Sequence, residues 1–441
     1  MTTRCVILGT GIAGLSAAEA IRSENPQATI TLIGDESGPL YSRPGLAYLL
    51  TGEVAEELLA IRTPQELDAL NVRRITQRVT RLDLASRSVV LADGQRVPYD
   101  ALLIAVGAAS LPAGFAGEEL DGVVRLDGLD EARDFVKRAE HAKNAVVIGG
   151  GSTALELVEG LHARGVRTTY LLRGDRYWSR VFDETESAMV ETQLLRANVA
   201  LRRQCAVKRA IGRDGKLVAI ETTTGETIAC DLLAVAVGIK PRLELARDAG
   251  LKTDRGIVVN AFLESSVEGV YAAGDVAQVY DPITGESQLD TLWPSAQGQG
   301  RVAGLNMAGR HVPYRKRIPM NITRVAGITA TIIGAVGGHD DPDLMTLTRG
   351  QSERWASAPD AWAVSGARVG DRLRVMVSRN AIVGAVVMGD QRASHALAHL
   401  IGESVDISKL RPALEADPAK AMDILLEFCA SHVRDEEARH G

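Results

Sequence analysis

The chain has no closely spaced cysteines and no long apolar run, and each absence excludes a class of protein. Its four cysteines, Cys5, Cys205, Cys230 and Cys429, contain no CxxC or CxxxxC pair. This excludes a redox disulfide motif and a cysteine-rich zinc site, and it fits the reducing cytoplasm. The longest apolar run, residues 327–338, falls short of the roughly 18 residues that a membrane span needs. We therefore expect a cytoplasmic protein without a membrane span.

The charge balance and the length narrow the class further. A net charge of −6 argues against nucleic acid or an anionic membrane as the main partner. The 441 residues, 46% of them hydrophobic, suggest two or three domains with cores large enough to need no structural metal. Residues 1–11 hold one basic residue and too short an apolar run for a secretory signal. His395 and His399 share a helix face but lack a third ligand, so no metal site is predicted.

Glycine, by contrast, is abundant, and its positions reveal an internal repeat. Residues 4–19 and residues 144–159 both run from a β-branched segment through a glycine-rich turn into an Ala/Leu-rich helix pattern. Residues 94–107 and 225–238 also correspond, with two glycines and an aspartate matching at an offset of 131 residues: Gly94, Asp100 and Gly107 against Gly225, Asp231 and Gly238. Agreement at both ends predicts two copies of one nucleotide-binding α/β domain.

The first copy carries a complete GxGxxG turn after a predicted strand. Gly9 would allow the tight turn, Gly11 would let the backbone approach a pyrophosphate, and Gly14 would let helix and strand pack closely. The helix that follows would direct its free N–H groups at the phosphates. Asp35 and Glu36 follow the second strand, where a carboxylate binds ribose hydroxyls. The alternative is a strand–helix turn that binds nothing.

The second copy differs where its second strand ends. Its turn is GxGxxA, and no carboxylate stands at the strand end; Arg173 is there instead, followed by Arg176 and Arg180. Arginines hold a 2′-phosphate that a carboxylate would repel, so this copy predicts NADPH rather than NADH. The alternative is that these arginines are solvated loop charges and NADH binds. Two dinucleotide domains predict two dinucleotides, and a nicotinamide with a flavin forms a hydride-transfer pair.

In this order the motifs resemble the FAD-dependent pyridine nucleotide-disulphide oxidoreductases, the superfamily of glutathione reductase. The resemblance covers residues 1 to about 310 well and the remainder more loosely. Residues 40–46 (LYSRPGL) are similar to the YxRPxL segment of the ferredoxin and rubredoxin reductase branch, and residues 292–307 are similar to the flavin domain of assimilatory nitrite reductases. The CxxxxC of the disulfide branch is absent.

The resemblance implies fold, domains and cofactors. The fold class is α/β, with two Rossmann-like domains and a C-terminal α+β domain. The FAD-binding domain is discontinuous, over 1–120 and 241–318, the NAD(P)-binding domain covers 121–240, and the third domain covers 319–441. The third domain is predicted from strand patterns over 323–333, 372–377 and 381–388, a helix from His395 and a helix over 412–434.

It also implies roles for particular residues. The flavin site would hold Gly9, Gly11, Ile12, Ala13, Gly14, Asp35, Glu36, Arg43, Pro44, Gly107, Gly238, Gly274, Asp275, Leu292 and Trp293. The nicotinamide nucleotide would contact Gly149, Gly151, Ser152, Thr153, Glu156, Arg173 and Arg176. Glu156 and Arg43 would act in catalysis, Glu156 near the contact of nicotinamide and flavin and Arg43 along the flavin. The helix starting near Trp293 would point its positive end at the flavin O2 edge.

The implied activity is an FAD-containing NAD(P)H oxidoreductase that passes a hydride from nicotinamide to flavin and electrons to an external acceptor. That acceptor would be a ferredoxin-like or rubredoxin-like protein or a partner subunit. The basic segment 314–317 is a solvated linker or a docking site for an acidic carrier. An NAD(P)H oxidase or peroxide reductase, or a flavin-bearing structural or sensing subunit, remains the alternative. For the quaternary structure, a homodimer is the candidate.

Overall fold

The computed structural model describes residues 3–281, 285–336, 362–368, 370–378 and 380–440. The last two residues of the long apolar run, 337 and 338, lie outside them. Within these ranges no helix is long and apolar enough to cross a membrane.

The strands follow one another in the order β1 Arg4–Leu8, β2 Thr29–Gly34, β3 Val72–Thr76, β4 Val79–Asp83, β5 Ser88–Leu91, β6 Arg96–Pro98, β7 Ala101–Ile104, β8 Ala108–Ser110, β9 Val123–Arg125, β10 Asn144–Ile148, β11 Arg167–Leu171, β12 Ala200–Arg202, β13 Val207–Arg213, β14 Lys216–Thr222, β15 Thr227–Ala229, β16 Leu232–Val235, β17 Ile239–Pro241, β18 Ile257–Val258, β19 Val270–Ala272, β20 Ala277–Asp281, β21 Glu286–Leu289, β22 Met320–Val325, β23 Ile328–Gly334, β24 Trp362–Arg368, β25 Asp371–Ser378 and β26 Ala381–Met388.

The α-helices are α1 Ile12–Glu24, α2 Leu46–Thr51, α3 Pro64–Ala69, α4 Leu129–Ala139, α5 Ser152–Ala163, α6 Glu184–Arg196, α7 Glu244–Asp248, α8 Trp293–Met307, α9 Ser394–Gly402, α10 Arg411–Ala416 and α11 Ala421–His440. Single 3₁₀ turns lie at Glu56–Leu59, Gly274–Val276 and Pro418–Lys420.

The chain divides into two compact units. The first contains residues 1–111, 126–136 and 238–316, and the second contains 112–125, 137–237 and 317–441. Among the described residues of the second unit, one apolar cluster lies among residues 113–237 and another lies among residues 318–433. The predicted NAD(P)-binding segment and the predicted third domain therefore lie together in the second unit.

The first unit is built on a parallel sheet with the strand order β19-β7-β1-β2-β3. Its central strands are continuous apolar runs, and Val6, Ile7 and Leu103 are at most 1% exposed. Such runs are expected of parallel strands that are covered on both faces. The antiparallel sheet β4-β5-β6 lies between β3 and β7 in the sequence.

The second unit repeats this plan, which confirms the predicted repeat. Its parallel sheet has the order β9-β16-β10-β11-β12, so β10, β11 and β16 take the places of β1, β2 and β7. The antiparallel sheet β13-β14-β15 corresponds to β4-β5-β6. The confirmed fold class is α/β with two Rossmann-like sheets.

The C-terminal residues form an antiparallel sheet in the order β22-β23-β26-β25-β24, with α9, α10 and α11. The stretch 323–333 forms strands as predicted, but a two-residue turn at Ala326 and Gly327 divides it into β22 and β23. Both residues have positive φ, 49° and 80°, which a tight hairpin turn of this kind requires. The single helix predicted over 412–434 is wrong. A break around Pro418 separates α10 from α11.

Two buried arginines of β25 join the C-terminal sheet to the beginning of α6. Arg374 donates from Nε to Glu186 Oε1 at 2.9 Å and from Nη2 to the carbonyl oxygen of Val181 at 2.6 Å. Arg372 pairs with Asp183. Asp183 and Glu186 are also the capping box of α6. Because breaking one partner of a buried ion pair costs about 3–5 kcal/mol, this cluster fixes the sheet against α6.

Candidate functional site

The first glycine turn has no room for side chains at two of its three glycines. Gly9 has φ +111°, and a Cβ there would lie 2.1 Å from the carbonyl oxygen of Ala105. A Cβ at Gly14 would lie 2.1 Å from the carbonyl oxygen of Gly9. The Gly9 amide donates to the carbonyl of Ile33 at 2.7 Å, which ties the turn to β2. The turn thus connects β1 to α1 as closely as the backbone permits.

Gly11 lies in open space by contrast. A Cβ at Gly11 would meet no described atom within 4 Å, and its φ of −75° suits any residue. Gly11 is the N-cap of α1, and no side chain caps the helix, so Ile12 and Ala13 begin it with their amides free of a side-chain acceptor. Open space in front of uncapped helix amides is what a pyrophosphate needs, and these residues fit FAD.

A second turn approaches α1 from the C-terminal half of the first unit. Gly274 has φ +77°, and a Cβ there would lie 3.3 Å from the Cβ of Ala13. Its amide donates to the Oε1 of Gln299, a fully buried residue of α8, at 2.8 Å. Gln299 therefore holds the turn that presents Asp275 beside the first glycine turn. Gln299 was not predicted, since a glutamine in a small-residue helix has no sequence signature of this role.

Arg43 lies at the centre of a charged cluster. It pairs with Glu36, donates to the backbone carbonyl of Asp127, and its guanidinium carbon lies 5.3 Å from the ring centroid of Tyr41. The charge of Asp275 also acts on it. Burial raises the pKa of Tyr41 to about 12, so its phenol stays neutral. The structure thus brings the predicted residues Glu36, Arg43 and Asp275 together.

The remaining predicted flavin-site residues lie on other segments of the first unit. Asp35 and Pro44 are exposed, and Leu292 is the uncapped N-cap of α8, directly before Trp293. Gly107 and Gly238 have positive φ, and β8, which follows Gly107, pairs antiparallel with β17, which follows Gly238. The sequence could not tell which acid meets Arg43; the structure assigns Glu36 to that pair and leaves Asp35 at the surface.

The second glycine turn repeats the geometry of the first. Gly149 has φ +142°, and a Cβ there would lie 2.2 Å from the carbonyl oxygen of Ala236. Gly151 is the N-cap of α5, which again has no side-chain cap. The hydroxyl of Thr153 is buried and has no hydrogen-bond partner among the described residues. An uncapped helix with an unused hydroxyl in its first turn fits a second dinucleotide.

Glu156 lies one turn into α5 and is half-buried next to Ser152, which is buried. Further along the same helix, Glu159 is also half-buried, and burial raises its pKa to about 7. Sequence reasoning missed Glu159. A carboxylate with so high a pKa in a cofactor domain is a candidate functional group.

The arginines at the end of β11 differ in their surroundings. Arg173 is exposed, and it forms no ion pair with any of the residues that the structure describes. Arg176 pairs with Asp175 at 3.1 Å, and that carboxylate offsets its charge. The backbone amide of Leu172 donates to the carbonyl oxygen of Arg202 at 2.8 Å, which brings a further arginine to the end of β11. The side chain of Arg202 pairs with Glu226, and that carboxylate offsets its charge. Arg173 is therefore the arginine that is best placed to meet a phosphate.

All four cysteines are buried and none is bonded to another. Burial raises the pKa of Cys5 to about 11 and that of Cys230 to about 12, and it also raises the pKa of Cys429. These three thiols remain protonated at neutral pH, and a thiol is a poor nucleophile compared with its thiolate.

Replacing all four cysteines by alanine should therefore leave NAD(P)H-to-dye activity within a few-fold of the unchanged protein. The measurement is kcat with a dye acceptor, with circular dichroism to show that the fold survives. A folded variant with activity reduced more than about a hundredfold, which is about 2.7 kcal/mol of barrier, would reveal a reactive thiol.

Comparisons with known proteins agree with this geometry. A family profile described as pyridine nucleotide-disulphide oxidoreductase matches residues 3–300. Rhodocoxin reductase of Rhodococcus erythropolis is 34% identical over 318 residues, covering 70% of this chain and 73% of the relative. The ferredoxin–NAD(+) reductase component of the biphenyl dioxygenase system of Paraburkholderia xenovorans is 30% identical over 339 residues, covering 77% and 82%.

A solved structure extends the similarity to the C-terminal residues. The NAD-dependent persulfide reductase from A. fulgidus superposes with a TM-score of 0.82 at 26% identity. The similarity covers 99% of this chain and 84% of that one. The fold similarity therefore includes the antiparallel C-terminal sheet and is not confined to the two glycine turns.

Proposed function

Because the chain belongs to the pyridine nucleotide-disulphide oxidoreductase family, we propose that it is an FAD-dependent NAD(P)H oxidoreductase that passes electrons to an external acceptor. The observation that carries the proposal is the repeated turn. Gly9 and Gly149 each have positive φ, and each turn leads into a helix that has no side-chain cap. Two such turns in one chain suit two dinucleotides.

Within the first unit, the residues of the FAD site act by binding and charge. Gly11 would leave space for the pyrophosphate in front of α1, and Asp275 would bind the ribityl chain or a phosphate. Asp35 or Glu36 would bind the hydroxyls of the adenosine ribose. Arg43 would place positive charge along the flavin, and α8 would add the positive end of its dipole.

Within the second unit, α5 binds the pyrophosphate of the nicotinamide nucleotide through its first turn, with Gly151, Ser152 and Thr153. Glu156 orients the nicotinamide. Bound FAD supplies a ring that accepts a hydride and releases electrons to an acceptor. Positioning of the two rings provides the catalysis, and no protein nucleophile is required. The proposed domains are 1–120 with 241–318 for FAD, 121–240 for NAD(P)H and 319–441 as a third domain.

The electron acceptor is a small ferredoxin-like or rubredoxin-like protein, or a partner subunit that carries another redox centre. The two curated relatives named above are a rhodocoxin reductase and a ferredoxin reductase component. An oxidase or peroxide reductase is less well supported, because residues 42–45 contain no cysteine, in the segment where flavin NADH oxidases place one, and all four cysteines are buried.

Steady-state turnover with three acceptors tests this proposal. The purified flavoprotein would be supplied with NADH or NADPH and with one of three acceptors: oxygen, a dye, or an oxidised iron–sulfur protein or rubredoxin. Turnover should be fast with the dye and a protein carrier and slow with oxygen. Turnover with oxygen as fast as with the dye would favour an oxidase, and absence of turnover with every acceptor would favour a sensing or structural subunit.

We further propose that the enzyme prefers NADPH and that Arg173 carries the preference. Charged hydrogen bonds are worth about 1.5–3 kcal/mol, so the preference should be about tenfold to a hundredfold in kcat/KM. Arg173→Ala should raise the KM for NADPH and leave that for NADH nearly unchanged. Arg167→Ala is the control, at the exposed start of β11, the strand that precedes Arg173. It should change the KM for neither nucleotide. The measurement is kcat/KM for both nucleotides at one ionic strength; preference for NADH in the unchanged protein would contradict it.

A further inference from the structure

Gln299, on the second turn of α8, uses only half of its side-chain amide. Its Oε1 accepts a hydrogen bond from the backbone amide of Gly274 at 2.8 Å, and the side chain is fully buried. Because a backbone N–H group can only donate, the atom that faces it is the amide oxygen, and the amide nitrogen points elsewhere. That nitrogen, Nε2, has no hydrogen-bond partner within the part of the chain that the structure describes. Buried donors without an acceptor are rare in folded proteins and call for an explanation.

The side-chain amide of Gln299 lies where the Gly274 turn and α8 both meet the beginning of α1. A Cβ at Gly274 would lie 3.3 Å from the Cβ of Ala13, the second residue of α1. A Cβ at Gly300, the residue after Gln299, would lie 2.1 Å from the carbonyl oxygen of Ala13. The two unused N–H groups of Gln299 are therefore beside the first turn of α1, a helix that begins without a side-chain cap.

Donors in this position suit a ligand that offers oxygens as acceptors. The first turn of α1 is the proposed site of the FAD pyrophosphate, whose anionic oxygens accept hydrogen bonds and cannot donate them. Nε2 can only donate, so the two groups are complementary. The alternative acceptor is a buried water molecule, which would need further polar partners of its own.

We propose that Gln299 binds FAD with both ends of its amide group. Its Oε1 fixes the Gly274 turn, which carries Asp275, and its Nε2 donates a hydrogen bond to an oxygen of the pyrophosphate. The proposal rests on the proposed function in placing FAD in the first unit. The close packing of Gly300 on Ala13 brings this amide to the cofactor, so the crossing of the two helices serves FAD binding as well as folding.

Two substitutions of similar size separate the two ends of the amide. Gln299→Glu keeps an oxygen for the Gly274 amide, but it removes both donors and places a negative charge beside the pyrophosphate. Gln299→Met removes both ends and adds no charge. FAD affinity of the apoprotein, measured by calorimetry, should fall about tenfold to a hundredfold in Gln299→Met and more than about a hundredfold in Gln299→Glu. Gln297→Glu, on the exposed side of the same helix, should leave the affinity within about twofold.

ADP is the second probe, because it contains the adenosine and the pyrophosphate of FAD but no ribityl chain. Its affinity should fall in both Gln299 variants, and further in Gln299→Glu than in Gln299→Met. If FAD affinity falls and ADP affinity does not, the donors meet the ribityl chain, and the assignment to the pyrophosphate is overturned. Thermal unfolding of each apoprotein shows whether the variant folds without its cofactor.

A third measurement observes the donors directly and decides the matter even if Gln299→Glu does not fold. In protein labelled with ¹⁵N at its glutamine side chains, the NH₂ signals of Gln299 are those that Gln299→Met lacks. These signals should move when ADP is added to the unchanged apoprotein and should stay in place when adenosine, which has no phosphate, is added. Signals that ADP does not move would overturn the proposal.

The outcomes separate this inference from the proposed function. If the unchanged protein binds neither FAD nor ADP, the proposed function fails and this proposal fails with it. If the unchanged protein and Gln299→Glu bind FAD equally well while Gln299→Met does not, Gln299 only holds the Gly274 turn and the proposal is overturned. Equal FAD affinity in all three proteins also overturns it and leaves the donors to a buried water molecule. A larger loss in Gln299→Glu than in Gln299→Met, for FAD and for ADP, supports the proposal.

Discussion

Replacing Gly300 by alanine should yield a protein that holds no FAD or does not fold. Gly300 lies where α8 crosses α1, and a Cβ there would lie 2.1 Å from the carbonyl oxygen of Ala13. The obstacle is backbone, which no side-chain rotation can move away. Gly304 meets Ala17 in the same way, at 2.4 Å, so the two helices are in contact along two turns. Overpacking typically costs 1–3 kcal/mol, and we expect at least about 3 kcal/mol here.

Gly298→Ala on the same helix is the matched control. A Cβ at Gly298 would meet only a ring carbon of Tyr314 at 3.7 Å, an ordinary contact. Alanine is favoured over glycine inside a helix by up to about 1 kcal/mol, so this variant should be as stable as the unchanged protein or more so. The measurements are the flavin-to-protein ratio and thermal unfolding. A Gly300→Ala protein that retains FAD and unfolds at the normal temperature would show that α1 and α8 are not packed as described.

Replacing Gly11 by alanine should separate flavin binding from folding. A Cβ at this position would meet no described atom, and the backbone there is already in a conformation that alanine adopts. The apoprotein should therefore fold normally. The new methyl group would occupy the space where the pyrophosphate approaches α1, and FAD affinity should fall more than about a hundredfold, about 2.7 kcal/mol.

The same substitution in the second copy gives the reciprocal result. Gly151→Ala should keep its FAD and raise the KM for NAD(P)H, because its turn begins α5 rather than α1. Gly9→Ala should not fold, since its Cβ would overlap the carbonyl of Ala105. The measurements are FAD affinity of the apoproteins, thermal unfolding, and KM for NAD(P)H. If Gly11→Ala binds FAD normally, the first turn is not a pyrophosphate site.

Much of the fold follows from local patterns in the sequence. The glycine turns, the continuous apolar strands and the matching strand ends predict both parallel sheets, because each pattern reports a local backbone requirement. The C-terminal elements were less predictable. The sequence from 323 to 333 is strand-like throughout, and only the positive φ angles of Ala326 and Gly327 show that the chain reverses there. Ala326 in particular has no signature of such a turn.

The residues of the site that the sequence did not reveal depend on distant contacts. Gln299 holds the Gly274 amide across 25 residues, and Arg374 meets Glu186 across 188 residues. No spacing rule links residues so far apart. Glu159 was likewise missed, because its surroundings come from a hairpin more than 160 residues away in the sequence. Burial and long-range pairing, which decide these roles, exist only in the folded chain.

The most direct test of the account is an anaerobic titration of the purified protein with NADPH and, separately, with NADH. The account predicts a yellow protein whose flavin absorbance is bleached by an equimolar amount of at least one nucleotide, and whose colour returns when an external electron acceptor is added. Hydride transfer between two bound dinucleotides requires this. A protein that contains FAD and is bleached by neither nucleotide would contradict the central claim.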